Sequence, residues 1–130
     1  MTTEIIIISQ KHVGSALLKA VKNIYGRLPL PITAVAVNYR TNPEQLLAKL
    51  TKLLSKFPET SDILVLTDLY GSTPSNIASR LCRSCLHRAR LVAGLNLPML
   101  VKILNYPDLD LEELTELAVM GGQQGVFTCS

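Results

Sequence analysis

Four short apolar runs punctuate the chain: Ile5–Ile8, Ile32–Val37, Ile63–Leu66 and Leu91–Ala93. They are rich in β-branched residues and nearly continuous. A half-exposed strand would alternate apolar with polar, so a continuous run fits a strand covered on both faces. Between the runs, apolar positions recur with helical spacing. Leu17, Leu18, Val21 and Ile24 form one face, and Gly26 is a good stop. Asn42-Pro43-Glu44-Gln45 opens the next helix: Asn caps, Pro suits the first helical position, and Gln three residues after the cap can complete a capping box. Its stripe is Leu46, Leu47, Leu50, Leu53 and Leu54, and Pro58 closes it. A third helix is predicted from Thr73-Pro74, with Ile77, Ala78, Leu81, Cys82 and Cys85 inward. A short helix from Pro98 carries Leu100, Val101 and Leu104. The last is capped by Asp110 with Glu113 at the third position and is expected to end at Gly121-Gly122. Val126–Thr128 is a candidate final strand at an edge of the sheet, short and antiparallel.

Strand and helix therefore alternate along the chain. That order implies right-handed crossovers and an α/β, doubly wound, mainly parallel sheet with helices on both faces. No repeat or domain boundary interrupts it, so residues 1–130 are read as one domain. A chain of 130 residues can bury a core without staples. At 48% hydrophobic it is not a disordered chain, and with 5% aromatics and no Trp the core must be aliphatic. The formal net charge of +3 is scattered, which argues against a nucleic-acid footprint. The three cysteines, Cys82, Cys85 and Cys129, do not form an even framework and fit a reducing compartment. Cys82 and Cys85 have CxxC spacing, shared by zinc and thioredoxin-like sites. Here they fall in a helical apolar stripe with no second ligand pair, which favours packed thiols. The run Ile5–Ile8 is too short for a membrane span or a signal peptide and lacks a basic leader, so a cytoplasmic protein with no direct membrane insertion is expected.

In an open parallel sheet, ligands bind beyond the carboxyl ends of the strands near the switch in strand order. The segment after the third strand is the most informative: Thr67-Asp68-Leu69-Tyr70-Gly71-Ser72-Thr73-Pro74-Ser75-Asn76. A carboxylate ends a buried strand, and a Gly, two hydroxyls and a Pro then open a helix. The helix start offers free N–H groups and a positive dipole end to an anion. Asp68 could hold the N–H of a nearby imidazole and leave the other ring nitrogen nucleophilic. Equally, Asp68 and Thr73 could serve only backbone groups of the loop and helix end.

The stretch Leu66–Asn76 resembles the aspartate-aromatic-Gly-Gly-Ser-Pro-Phe-Asn segment of mannose-type enzyme IIA proteins of the bacterial sugar phosphotransferase system. Gly94-Leu95-Asn96-Leu97-Pro98-Met99-Leu100 resembles that family's second signature almost letter for letter. The order of elements is similar along nearly the whole chain. The resemblance implies a flavodoxin-like fold, often dimeric through the last strand. It also implies a relay: a histidine phosphocarrier protein phosphorylates a histidine here, and the group passes to a separate IIB protein. No metal or organic cofactor is implied.

The family's acceptor histidine lies just after the first strand. An ungapped alignment puts Gln10 there, and an amide nitrogen is not nucleophilic. Two readings follow. Either His12, two residues on, is the acceptor in a shifted loop, with Asp68 orienting it and Gln10, Gly71, Ser72 and Thr73 holding the phosphoryl oxygens. Or the acceptor is lost and the protein is a regulatory or binding homologue. Small-anion binding at the same helix start is a weaker alternative. Ser72 stands where the family has a second Gly, which would strain a backbone needing positive φ. Thr73 keeps the hydroxyl for capping or phosphate contact. Ser75 replaces an apolar Phe. His87 falls at the opposite end of the sheet and is read as a surface or helix-end residue.

Overall fold

The computed structural model describes residues 2–129. Strands β1 (Thr3–Gln10), β2 (Ile32–Val37), β3 (Asp62–Thr67) and β4 (Ala89–Ala93) alternate with helices α1 (Val13–Tyr25), α2 (Pro43–Leu54), α3 (Thr73–Ser84), α4 (Leu97–Leu104) and α5 (Leu111–Gln124). The strands form one parallel sheet in the order β2-β1-β3-β4. All four apolar runs are therefore strands, and the α/β, doubly wound, flavodoxin-like reading holds.

The pleat of the two central strands divides the core. Ile5 and Ile7 of β1 and Leu64 and Leu66 of β3 pack with Val21 of α1, Leu100 and Ile103 of α4 and Leu111 and Leu114 of α5. Ile6, Ile8, Ile63 and Val65 pack on the other face with Leu50 and Leu54 of α2 and Ile77, Ala78 and Leu81 of α3. Each of these central-strand isoleucines is 0% exposed. Their continuous apolar run is thus explained by two covered faces rather than one.

The edge strands are less covered than the sequence pattern implied. Ala36 of β2 and Arg90 of β4 are exposed, and only Val37 and Val92 are fully buried in their strands. Helices stack over the sheet centre, so the margins stay wet. Ile24, assigned to the inner face of α1, is 57% exposed in that helix's last turn.

Asn42 and Asp110 cap their helices as expected. The Asn42 side chain accepts the Gln45 N–H at 3.1 Å, although Gln45 returns no bond. Asp110 and Glu113 form the full reciprocal box, at 2.9 and 3.4 Å. Helix α5 does not stop at Gly121-Gly122 but continues to Gln124. A Cβ on Gly121 would sit 2.5 Å from the Lys102 Cβ. These glycines therefore bring α5 against α4 rather than end it. Residues 126–129 form no strand, and Val126 and Phe127 are 77% and 72% exposed. The expected antiparallel edge strand therefore does not form within the chain. No helix among the described residues is long and apolar enough to cross a membrane.

Candidate functional site

From β1 the chain moves outward to β2, then returns to the other side of β1 at β3. The crevice between the carboxyl ends of β1 and β3 is therefore the place for a ligand. Two loops meet there.

The β3–α3 loop is tied by its own side chains. The Asp68 carboxylate accepts the N–H of Leu69 through Oδ1 and the N–H of Gln10 through Oδ2, both at 3.0 Å. It therefore bridges the two loops and is half-buried. Gly71 turns the chain at φ 87°, a conformation that costs a side-chain-bearing residue more. Ser72 is extended at φ −76°, ψ 170°, so the strain expected from replacing a Gly is absent. Ser72, not Thr73, caps α3: its Oγ accepts the Ser75 N–H at 3.3 Å and donates to the Leu69 carbonyl at 2.6 Å. The Ser75 hydroxyl in turn accepts the Gly71 N–H at 3.2 Å. Thr73 is exposed in the first turn of α3. Leu69 and Tyr70 stand out from the loop, 64% and 83% exposed.

The β1–α1 loop is placed by packing from below. Buried Ser9 accepts the Gly14 N–H at 2.9 Å and donates to the Gln10 carbonyl at 3.0 Å. A Cβ on Gly14 would lie 2.7 Å from Ile7 Cγ2 and 2.8 Å from Ser9 Oγ, so the start of α1 lies directly on β1. Lys11 donates its N–H to the Val37 carbonyl at 3.0 Å, which ties the loop to the end of β2. Between these anchors, His12 is pushed to φ 77°, ψ −20°, the left-handed region. Its carbonyl accepts the Ala16 N–H and begins α1, but its imidazole caps nothing.

Gln10 and His12 thus face different neighbours. Gln10 is the residue whose backbone bonds to Asp68. His12 is exposed and borders a crevice of about 40 Å³ with Ser9, Ser15 and Ala34–Ala36, on the β2 side of β1. No hydrogen bond joins His12 to Asp68. Asp68 serves backbone groups instead, while remaining at the mouth of the crevice. Ser9 was not singled out in the sequence. A lone Ser ending an apolar run carries no separate signal, and its role emerges only when Gly14 folds back onto it.

The second signature has an architectural role. Leu95 donates its N–H to the Thr67 carbonyl at 3.0 Å. Asn96 caps α4 by accepting the Met99 N–H at 2.9 Å and donates to the Gly122 carbonyl at 3.1 Å. It therefore clamps the β4–α4 loop to β3 and α5. His87 is not a surface residue: it is 9% exposed, with Nε2 3.2 Å from the Pro58 carbonyl. It lies just before β4, at the amino end of the sheet, as expected. Burial pushes the Cys82 thiol up to about 11, with neighbouring Cys85 adding to the effect. That moves Cys82 away from the thiolate needed for metal binding or redox attack.

Residues 4–118 match the family model EIIA-man, described as the PTS system fructose IIA component. The chain belongs to this family of phosphotransferase-system IIA proteins. Over 87 residues it is 40% identical to the mannose-specific EIIAB component of Escherichia coli (strain K12), covering 65% of this chain and 27% of that protein. The chain thus spans about a quarter of that relative's length. It is 33% identical over 106 residues to the sorbose-specific EIIA component of Lacticaseibacillus casei, covering 77% of this chain and 70% of that one. Among solved structures, the mannose/sorbose-specific IIA subunit from Enterococcus faecalis superposes with a TM-score of 0.88 at 28% identity, over 100% of this chain and 96% of that one.

Proposed function

We propose that this IIA-family protein accepts a phosphoryl group on His12 from a histidine phosphocarrier protein and passes it to a IIB partner, in the cytoplasm. Family membership supports a phosphotransfer role in a sugar phosphotransferase system. One observation carries the specific reading: an exposed imidazole sits in the loop whose strand end is bonded to Asp68, beside the amino end of α3. In this mechanism an unprotonated ring nitrogen of His12 attacks the phosphorus of the donor phosphohistidine in line. The new P–N bond forms as the donor P–N bond breaks, and the donor nitrogen keeps the electron pair. Thr73, Gly71 and Ser72, at the positive end of α3, meet the phosphoryl oxygens, and Gln10 offers its amide. Asp68, whose carboxylate accepts the N–H of Gln10 two residues before His12, is the group assigned to orient the imidazole.

A second reading has its own support. The Asp68 oxygens are already engaged by the Gln10 and Leu69 N–H groups, and His12 borders the opposite side of β1. That arrangement suits a homologue that binds a phosphocarrier or IIB partner without accepting phosphate. Incubation with the general phosphotransferase proteins and phosphoenolpyruvate, followed by intact mass, separates the two. An acid-labile adduct that disappears in His12→Ala supports the relay. An adduct seen only on Gln10→His supports the regulator.

The proposal includes a homodimer. Among the described residues β4 pairs only with β3, Val119 and Val126 border the same crevice as Ala93 of β4, and Val119, Met120, Val126 and Phe127 are exposed. Light scattering is expected to give twice the chain mass for the wild type and a lower mass for Phe127→Ser.

A further inference from the structure

Two departures of this chain from the IIA-family segment touch one another. Ser72 and Ser75 stand where that segment has Gly and Phe. The Ser75 hydroxyl accepts the Gly71 N–H at 3.2 Å, and the Ser72 hydroxyl accepts the Ser75 N–H at 3.3 Å. The Ser72 N–H goes to the Leu69 carbonyl at 3.3 Å, and the Asn76 N–H to the Ser72 carbonyl at 2.9 Å. Pro74 has no N–H to give. Asp68 takes the N–H groups of Leu69 and Gln10. Most backbone donors that would face an anion are thus spent within the site itself. Thr73 is the first-turn residue of α3 whose N–H the loop leaves free among the described residues.

The bond to Gly71 is of a kind that exchanges readily. At 3.2 Å it lies at the long end for an N–H···O contact. Gly71 is exposed, so a second acceptor can reach its N–H from outside, whereas Ser75 is 3% exposed and meets it from within. The Ser75 hydroxyl also has somewhere to go: a helical serine can turn to the carbonyl four residues back, which here belongs to Gly71. A negatively charged phosphoryl oxygen is a stronger acceptor than a neutral hydroxyl. One further group at the root of the loop is unpaired. The Thr67 hydroxyl is wholly buried on the same face of β3 as Ile63 and Val65, the α3 side of the sheet, and has no partner among the described residues. Another arrangement of the loop therefore has a hydrogen bond to gain.

We infer that the Ser75 hydroxyl is a built-in competitor for the Gly71 N–H. Ser75 then acts through Gly71 as a positioning residue that sets how strongly the site holds a phosphoryl group. The inference rests on the proposed phosphoryl transfer, in which Gly71 meets a phosphoryl oxygen. Its consequence is a site that binds the group more weakly than its backbone alone would allow, because each loading must first displace Ser75.

Two measurements separate this inference from the function it rests on. In the first, the isotope-labelled chain is titrated with inorganic phosphate and the amide resonance of Gly71 is followed. Ser75→Ala should lower the phosphate midpoint at Gly71 roughly fivefold, the worth of one ordinary hydrogen bond. Ser75→Thr keeps the acceptor and should match the wild type. In the second, the chain is equilibrated with the phosphorylated histidine phosphocarrier protein, and the phosphorylated fraction is read by intact mass. Ser75→Ala should raise the ratio of phosphorylated to free chain by a similar factor. A purely structural role predicts the opposite sign, since loosening the site would lower uptake. If circular dichroism shows that Ser75→Ala disturbs the fold, Ser75→Cys replaces it; sulfur is a weak acceptor of similar size and should move both readouts the same way. Equal phosphate midpoints in the wild type and the variant overturn the inference, and intact uptake by the wild type then leaves the proposed function standing. A Gly71 resonance that phosphate moves in neither protein also overturns it. A lowered midpoint in the variant, with no uptake by the wild type, upholds the competition and overturns the proposed function.

Discussion

The two loops at the carboxyl edge of the sheet solve the same problem in different ways. The β3–α3 loop holds itself: Asp68, Gly71, Ser72 and Ser75 satisfy one another's backbone within eight residues of chain. The β1–α1 loop is held from outside, by Ser9 below, Gly14 against β1, Val37 on β2 and Asp68 on β3. A self-bonded loop can be read from its residues. A loop clamped by its surroundings cannot, and its one non-glycine residue at positive φ, His12, is where the constraints collide. Locally stored strain of this kind belongs at functional sites.

Four substitutions test that contrast. Gly14→Ala should be the most damaging, by about 2 kcal/mol, because Ile7 and Ser9 must move to admit the methyl group. Urea unfolding measures it, and a loss no larger than at an exposed helix position would show that the close approach does not set the loop. Ser9→Ala should cost about 1.5 kcal/mol, since the buried Gly14 N–H loses its acceptor. Amide exchange at Gly14 should accelerate in the same variant. Ser72→Ala removes the α3 cap and should cost about 1 kcal/mol, read from the thermal midpoint. If it costs more than Ser9→Ala, the self-bonded loop is the more fragile of the two. His12→Gly should have the smallest effect and the opposite sign, stabilising by about 0.5 kcal/mol through relief of the left-handed backbone. It should also abolish any phosphoryl adduct if His12 is the acceptor, a direct opposition of stability and activity.

The core and the helix starts were legible because they depend on local chemistry. The isoleucine run of β1 needs two covered faces whatever lies opposite. Asn42 and Asp110 cap because each is a short acceptor at a helix start, whereas the caps of α3 and α4, Ser72 and Asn96, were not read as such. The edges were misjudged for the complementary reason. Val35 and Leu91 read like core residues, but coverage of an edge strand is set by where the helices sit. Gly121 reads as a stop and acts as a packing position, because only α4 beside it makes a side chain impossible there. His87 reads as surface because its polar ring is visible in the sequence, while the Pro58 carbonyl that receives it lies on a distant segment.

By itself, the sequence determined the alternation of strand and helix, the parallel sheet, the Asp68–Asn76 loop and the family to which they belong. These follow from periodicity, caps and motifs, each contained within a few consecutive residues. Only the tertiary structure decided that Asp68 meets the backbone of Gln10, that His12 leans toward β2, and that Arg40 and Lys49 share one groove. Those pairings join residues from different elements, and their geometry is fixed by how the sheet aligns its strand ends and how closely each helix lies on it.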